Sequence, residues 1–107
     1  MTQKETKLNK KIKYSFSKAK DDNISLDFHN YNYWESVDEI PSLLGKIYNV
    51  EIIRELDGPA TRYKELKIEE NDFTLHYTSY GSFMSSTDES SKEFLKKIKL
   101  DLERLDS

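Results

Sequence analysis

Apolar residues repeat along this chain at two spacings, and the change from one to the other marks its elements. Ile12, Tyr14 and Phe16 alternate with Lys11, Lys13, Ser15 and Ser17, and further on Ile24, Leu26 and Phe28 alternate with Ser25, Asp27 and His29. Period-two alternation of this kind belongs to a half-buried strand. With Lys18 to Asp22 as a polar five-residue turn, parity pairs Phe16 with Ile24, Tyr14 with Leu26 and Ile12 with Phe28, which gathers all six apolar side chains on one face.

A short aromatic linker, Asn30 to Trp34, then leads into a spacing of three and four at Val37, Ile40, Leu43, Leu44 and Ile47, the mark of an amphipathic helix. Two starts compete for it. Ser36 with Glu39 makes a capping box, but Pro41 then sits deep enough to clash with the preceding turn. Asp38 as the cap leaves Pro41 in the first turn, where its missing N–H is not needed, and is preferred. Gly45 weakens the helix, and Asn49 is its expected stop.

Alternation returns in three strands, Val50 to Leu56, Arg62 to Ile68 and Phe73 to Tyr80, read as two hairpins sharing the middle one. If Val50, Ile52 and Leu56 point inward with Leu66 and Ile68, the connection has odd length, a five-residue loop from Asp57 to Thr61. A four-residue turn, Glu69 to Asp72, then pairs Ile68 with Phe73 and Leu66 with Leu75. On the outer face Glu51 stands opposite Lys67, Glu65 opposite His76 and Tyr63 opposite Thr78, joined by Ile53 and Tyr80. Such pairs stabilise a solvated sheet by roughly 0.2 to 1 kcal/mol each, which accounts for the pattern without any function.

Gly81 to Met84 reads as a connector. A second capping box, Ser86 with Glu89, opens a last helix whose Phe94, Leu95, Ile98, Leu102 and Leu105 form one stripe, with Leu100 off it. The order ββαβββα predicts an α+β fold, a two-layer sandwich with a mainly antiparallel five-stranded sheet and two helices on one face. Residues 1–10 have no periodicity and are expected to form a flexible basic N-terminal tail on a single domain spanning residues 11–107.

Charge divides the chain more sharply than its net value of −3 suggests. Residues 1–20 carry seven lysines against Glu5, giving +6, while the remaining 87 residues carry 10 basic and 19 acidic side chains, giving −9. The body is acidic and its leader basic. Cysteine is absent, which excludes disulfides, zinc–thiolate sites and a thiol nucleophile. Without a secretory-type apolar stretch or a run near the ~20 apolar residues of a membrane span, the expectation is a soluble, cytoplasmic protein with no membrane partner.

Candidate chemistry is sparse. His29 and His76 are the only histidines and lack the helical pair spacing of a catalytic zinc site, so neither metal nor cofactor is expected. Glu65 beside His76 resembles an acid–base pair, yet no nucleophile elbow and no glycine-rich phosphate loop accompanies it, which points away from an enzyme. The rings of Tyr31, Tyr33 and Trp34 at the strand-to-helix junction, and Ile53, Tyr63, Glu65, His76 and Tyr80 on the outer sheet face, are residue types that dominate protein interfaces. These eight are the candidate partner-binding residues.

Asp57-Gly58-Pro59 followed by Arg62, then Phe73-Thr74-Leu75-His76-Tyr77 and a terminal amphipathic helix, resembles small uncharacterised bacterial α+β proteins of the immunity-protein kind. The resemblance implies a fold, with no activity and no catalytic positions to carry over. Small acidic domains of that kind often block a toxin by binding it. The expectation is therefore a non-enzymatic protein-interaction domain, a monomer or weak dimer, whose partner is another protein; its most concrete form is an immunity protein or antitoxin facing a basic toxin or effector. The alternative is a nucleic-acid-associated protein using the lysine-rich N-terminus. Nucleic acid ranks second, because the leader has no arginine and the body repels a polyanion.

Overall fold

The computed structural model describes residues 13–18, 24–86 and 89–106. The elements run β1 (Tyr14–Lys18), β2 (Ile24–Phe28), α1 (Ser36–Leu44), β3 (Val50–Asp57), β4 (Arg62–Ile68), β5 (Asn71–Thr78), β6 (Gly81–Ser86) and α2 (Glu89–Asp106). Among the described residues the fold is α+β with one antiparallel sheet and two helices, but the sheet has six strands rather than five, in the order β1-β2-β6-β5-β4-β3. After β2 the chain crosses the sheet through α1 to the far edge. It then returns by the meander β3 to β6 until β6 pairs with β2.

The strand that sequence reasoning missed is β6, taken as a connector. Its inward residues are Ser82, Met84 and Ser86, while Phe83 points outward with Ser85, so the usual apolar-in, polar-out signal is partly inverted. Hydrogen bonds explain why Ser82 is tolerated inside, whereas the Ser86 hydroxyl is buried without a partner among the described residues. The Ser82 hydroxyl donates to the Tyr31 carbonyl at 2.5 Å and lies 2.6 Å from the Ser36 hydroxyl, so the buried oxygens satisfy each other.

One core joins the covered face of the sheet to both helices. Leu26, Phe28, Leu66, Ile68, Phe73, Leu75 and Met84 meet Val37, Ile40 and Leu44 from α1 and Leu95, Ile98 and Leu102 from α2. Phe94 is half-buried, while Leu105 and the off-stripe Leu100 are exposed. Ile47 lies in the turn after α1 rather than in the helix, which stops at Leu44 and not at Asn49.

Neither proposed cap starts α1 as expected. The helix begins at Ser36 with Glu35 as an uncapped N-cap, and Pro41 lies within it. Both candidate cap side chains are engaged elsewhere: the Ser36 hydroxyl bonds Ser82, and the Asp38 carboxylate is bound by two cations from β4. In α2 the helix starts at Glu89, and the capping box fails because Ser86 is the last residue of β6.

Registers keep the predicted parity in two hairpins and break it in a third. β1 and β2 pair with a shift of two, Tyr14 with Phe28, Phe16 with Leu26 and Lys18 with Ile24; Ile12, residues 19–22 of the proposed turn and the basic tail lie outside the described residues. β4 and β5 pair through a two-residue turn, Glu69 and Glu70, with φ of 49° and 71°, instead of four residues. Both turn residues occupy left-handed backbone, as a type I′ hairpin requires. The turn is tied down by Asn49, whose carbonyl accepts from the Glu69 N–H at 3.1 Å and whose N–H donates to the Glu69 carboxylate at 2.8 Å. Hence Leu66 faces Phe73, Tyr63 faces His76 and Glu65 faces Thr74, rather than the expected Leu66 with Leu75, Tyr63 with Thr78 and Glu65 with His76.

The β3–β4 hairpin carries an irregularity at Ile53. Val50, Glu51 and Ile52 pair with Ile68, Lys67 and Leu66 as expected, and beyond the bulge Arg54, Glu55, Leu56 and Asp57 pair with Glu65, Lys64, Tyr63 and Arg62. The extra residue inverts the sides of everything after it. Leu56, expected inward, points out and is 54% exposed, and the odd five-residue loop becomes the four residues 58–61. Electrostatics supplies the reason. A regular register would place Arg54 opposite Lys64 on the covered face, two like charges side by side beside Arg62, whereas the bulge presents Glu55 and Asp57 to Lys64 and Arg62.

Candidate functional site: the open face of the sheet

Both helices pack on one side, so the other side of the sheet is uncovered by any helix among the described residues. Cross-strand pairing aligns one residue from each strand there, Leu56, Tyr63, His76, Phe83, Asp27 and Ser15 in order from the β3 edge to the β1 edge. The middle of this row is continuous ring surface. The edge of Tyr63 meets His76 at 4.8 Å between centroids, and the imidazole stacks on Phe83 at 4.7 Å with the planes 9° apart. Burial between the two rings lowers the His76 pKa below its ordinary value, because the charged imidazolium is poorly solvated there.

His76 is thus built as a ring of an aromatic surface. Its Nε2 lies 3.5 Å from the Ser85 hydroxyl, too long for a strong hydrogen bond. Glu65, paired with it in the sequence reading, instead binds Arg54 at 2.5 Å across the β3–β4 hairpin. Among the described residues no three His, Cys, Asp or Glu side chains come together as metal ligands.

At the β1–β2 end, Asp27 is half-buried and among the described residues receives one hydrogen bond, from the Ser17 hydroxyl at 3.4 Å. Burial raises its pKa, against the opposing pull of that hydroxyl and of His29. His29 is exposed, and its Nε2 is 2.6 Å from the Ser15 hydroxyl. A cleft of about 390 Å³ opens beside Asp27 toward the β5–β6 turn, where Tyr80, 96% exposed, stands free of the sheet rather than on its face. Gly81 follows at φ 123°, where an added Cβ would sit 2.6 Å from the Asn32 side chain, so only glycine fits this turn.

The eight candidate residues therefore separate into three places. Tyr63, Glu65 and His76 lie together on the open face, and Ile53 is the bulge of the β3 edge, 50% exposed. Tyr80 rims the cleft. Tyr31, Tyr33 and Trp34 belong to the junction before α1: Tyr31 packs on the core with its ring edge-on to Phe28 and stacks on Tyr33, whose hydroxyl donates to Glu39. That bond to a carboxylate raises the Tyr33 pKa to about 12.

Trp34 is held by a group that hydrophobicity does not announce. Arg62 lies on the covered side of β4 and places its guanidinium 5.1 Å from the Trp34 ring centroid, while donating to the Trp34 carbonyl at 2.9 Å. It also binds Asp38 in a fork at 2.9 and 3.3 Å and Asp57 at 2.9 Å. Lys64, two residues on, binds Asp38 at 3.0 Å and Glu55 at 2.8 Å. Hydrogen bonds from Arg62 and Lys64 hold the Asp38 carboxylate below its ordinary pKa; burial works to lower the Lys64 ammonium, but Glu55 and Asp38 hold it above its usual range. The network locks α1 and the aromatic junction to the β3–β4 hairpin.

Leu56, Phe83, Asp27 and Ser15, the remaining members of the row on the open face, were missed as site residues. Phe83 stands next to the apolar Met84, so no clear alternation marked its face, and Leu56 was unreadable without the bulge. Compared with known protein families, curated proteins and solved structures, the chain matches none of them.

Proposed function

We propose that this protein acts by binding another protein through the open face of its sheet, with Tyr80 at the rim. The observation that carries the reading is the row Leu56, Tyr63, His76 and Phe83, an apolar and aromatic strip across four strands on the side opposite both helices. Rings held by cross-strand stacking are already ordered, so a partner that covers them loses little side-chain freedom and removes apolar area from water. The acidic body favours a basic partner by steering, which makes a basic toxin or effector, neutralised by being covered, the most concrete version. That version draws on the resemblance to immunity-type proteins as well as on charge.

The test is capture of partners from native lysate with the tagged full chain and with Tyr63→Ala, Phe83→Ala and Tyr33→Ala. The expected result is one specific partner, weakened at least about tenfold by the first two changes and little by the third, as for residues central and peripheral to an interface. If Tyr63→Ala and Phe83→Ala both leave capture intact, the open face is not the binding surface. The alternative, nucleic-acid binding, has one supporting feature on this face, since rings on a sheet can stack bases. Asp27 and Glu65 stand beside those rings and oppose a phosphate backbone. Saturable binding of mixed oligonucleotides at low salt, lost on deletion of residues 1–10, would replace the protein reading with that one.

A further inference from the structure

The open face ends in a feature that a flat aromatic platform does not need. Beside Phe83, between β2 and the β5–β6 turn, lies the cleft of about 390 Å³, within the ~300–1,000 Å³ range of sites that take a small ligand or a long side chain. Among its polar lining groups is a half-buried carboxylate, Asp27, served among the described residues by one long hydrogen bond from Ser17. An ionised carboxylate has about four acceptor positions. Most of its capacity is unspent. Phe83 and Tyr80, which also line the cleft, supply ring surface, one packed on the sheet and the other projecting from the turn.

A carboxylate with open acceptor positions flanked by aromatic rings matches a planar cation that donates in a fork and stacks. We infer that this cleft receives an arginine side chain of the partner, with Asp27 as its counter-ion and Phe83 and Tyr80 as its walls. The inference rests on the protein-binding reading above and names the residue type it would read. Burial of Asp27 fits the same picture, since a desolvated carboxylate gains more from a cation than a fully hydrated one. Lys18 and His29 also line the cleft, so an incoming guanidinium would sit beside two basic side chains.

The experiment is an NMR titration of the ¹⁵N-labelled full chain with acetyl-Gly-Arg-Gly-amide and with the same peptide carrying citrulline, which has the shape of arginine without its charge. Saturable shifts are expected at the amides of Asp27, Asn32, Gly81 and Phe83. Citrulline and Asp27→Asn should each weaken binding at least about tenfold, the scale of one charge-assisted pair, and Lys18→Gln should strengthen it. The variants are to be used only where their spectra keep the dispersion of the parent. No saturable shift, equal binding of citrulline, or equal binding by Asp27→Asn overturns the inference. Partner capture that depends on Tyr63 tests the open-face reading separately, so either idea can fail alone.

Discussion

Arg62 and Lys64 point under the helices, while Tyr63, between them in the chain, points into solvent. On most sheets with one covered face the distribution is the reverse, apolar under the helices and charged outside. Here the covered face keeps its apolar character over β2, β5 and the far half of β4, and gives up one corner to a closed set of two cations and three carboxylates. The open face keeps Glu65, Arg54 and Lys67 but gives its middle row to Leu56, Tyr63, His76 and Phe83. Charge buried and satisfied at one corner serves architecture, and rings left in water serve an outside contact. The same one-residue bulge at Ile53 produces both effects, since it turns Glu55 and Asp57 in and Leu56 out.

Two leucines on opposite faces break or sharpen that contrast most strongly. Leu75 is fully buried in the core, and Leu75→Ala should cost about 2–5 kcal/mol. Leu56→Ala should change stability by no more than about 0.5 kcal/mol while weakening partner capture. Urea unfolding with an unchanged m-value measures the first, and the capture assay the second. A Leu56 loss equal to that of Leu75 would mean that the open face is a second core.

Within the charged corner the partners are unequal. The Arg62 side chain is 8% exposed and that of Asp38 50% exposed. When Arg62 is removed, its carboxylates can turn to water; when Asp38 is removed, two cations stay buried with one carboxylate each. Asp38→Ala should therefore cost about 2 kcal/mol, below the ~3–5 of a fully buried pair because Asp38 itself is half in water. Arg62→Met, which keeps the packing under Trp34, should cost less, about 1 kcal/mol. The opposite ranking, read from urea midpoints, would assign the corner's stability to the guanidinium–indole contact instead.

Period-two and period-three-to-four spacing made five of the six strands, both helices and most of the core legible, because burial on one face imposes that spacing directly. It failed where burial was satisfied by something other than hydrophobicity. β6 hides Ser82, which bonds to Ser36 and to the backbone, and Ser86, so its inner face looks polar. Ser36 and Asp38 carry cap chemistry but are engaged by Ser82 and by Arg62 with Lys64, partners 46 and 24 residues away for the bonds to Ser82 and Arg62. Arg62 and Lys64 share the parity of Leu66 and Ile68, but nothing in their residue type announced that they would be buried. Of the site, Tyr63, Glu65 and His76 were readable as outer-face residues; their true neighbours were not, because registers depend on turn length, which composition leaves open.

A smaller effect follows from His76. Its folded pKa lies below the ordinary 6.5, so as pH falls the unfolded chain takes up the proton first. Its contribution to stability is complete above about 6.5 and is lost as pH falls from there to the folded value. Stability should decline from pH 7 toward pH 5, and His76→Phe, which keeps a ring against Phe83, should flatten that slope. Asp38 acts in a different window: its folded pKa lies below 3.8, so its contribution is present above 3.8 and disappears only on further acidification. A His76→Phe profile with the parent's slope between pH 7 and 5 would show that the ring pair does not exclude water.

The sharpest test of how the faces were exchanged, with only a small change in stability, is deletion of Ile53. The observed pairs run from Ile52 with Leu66 directly to Arg54 with Glu65, so removing the bulge residue leaves every cross-strand partner in place. Stability should stay within about 1 kcal/mol, the range of ordinary surface changes plus one lost half-exposed side chain. What should change is the edge. β3 is the last strand of the sheet, and a bulge adds local twist that discourages another strand from pairing there. The shortened β3 would be regular and would still expose Ile52, so the deletion variant is expected to self-associate at concentrations where the parent does not, as read by sedimentation velocity. Loss of folding instead would mean that Ile53 supports the hairpin by its side chain, and that the inversion of β3 does not depend on the pairing alone.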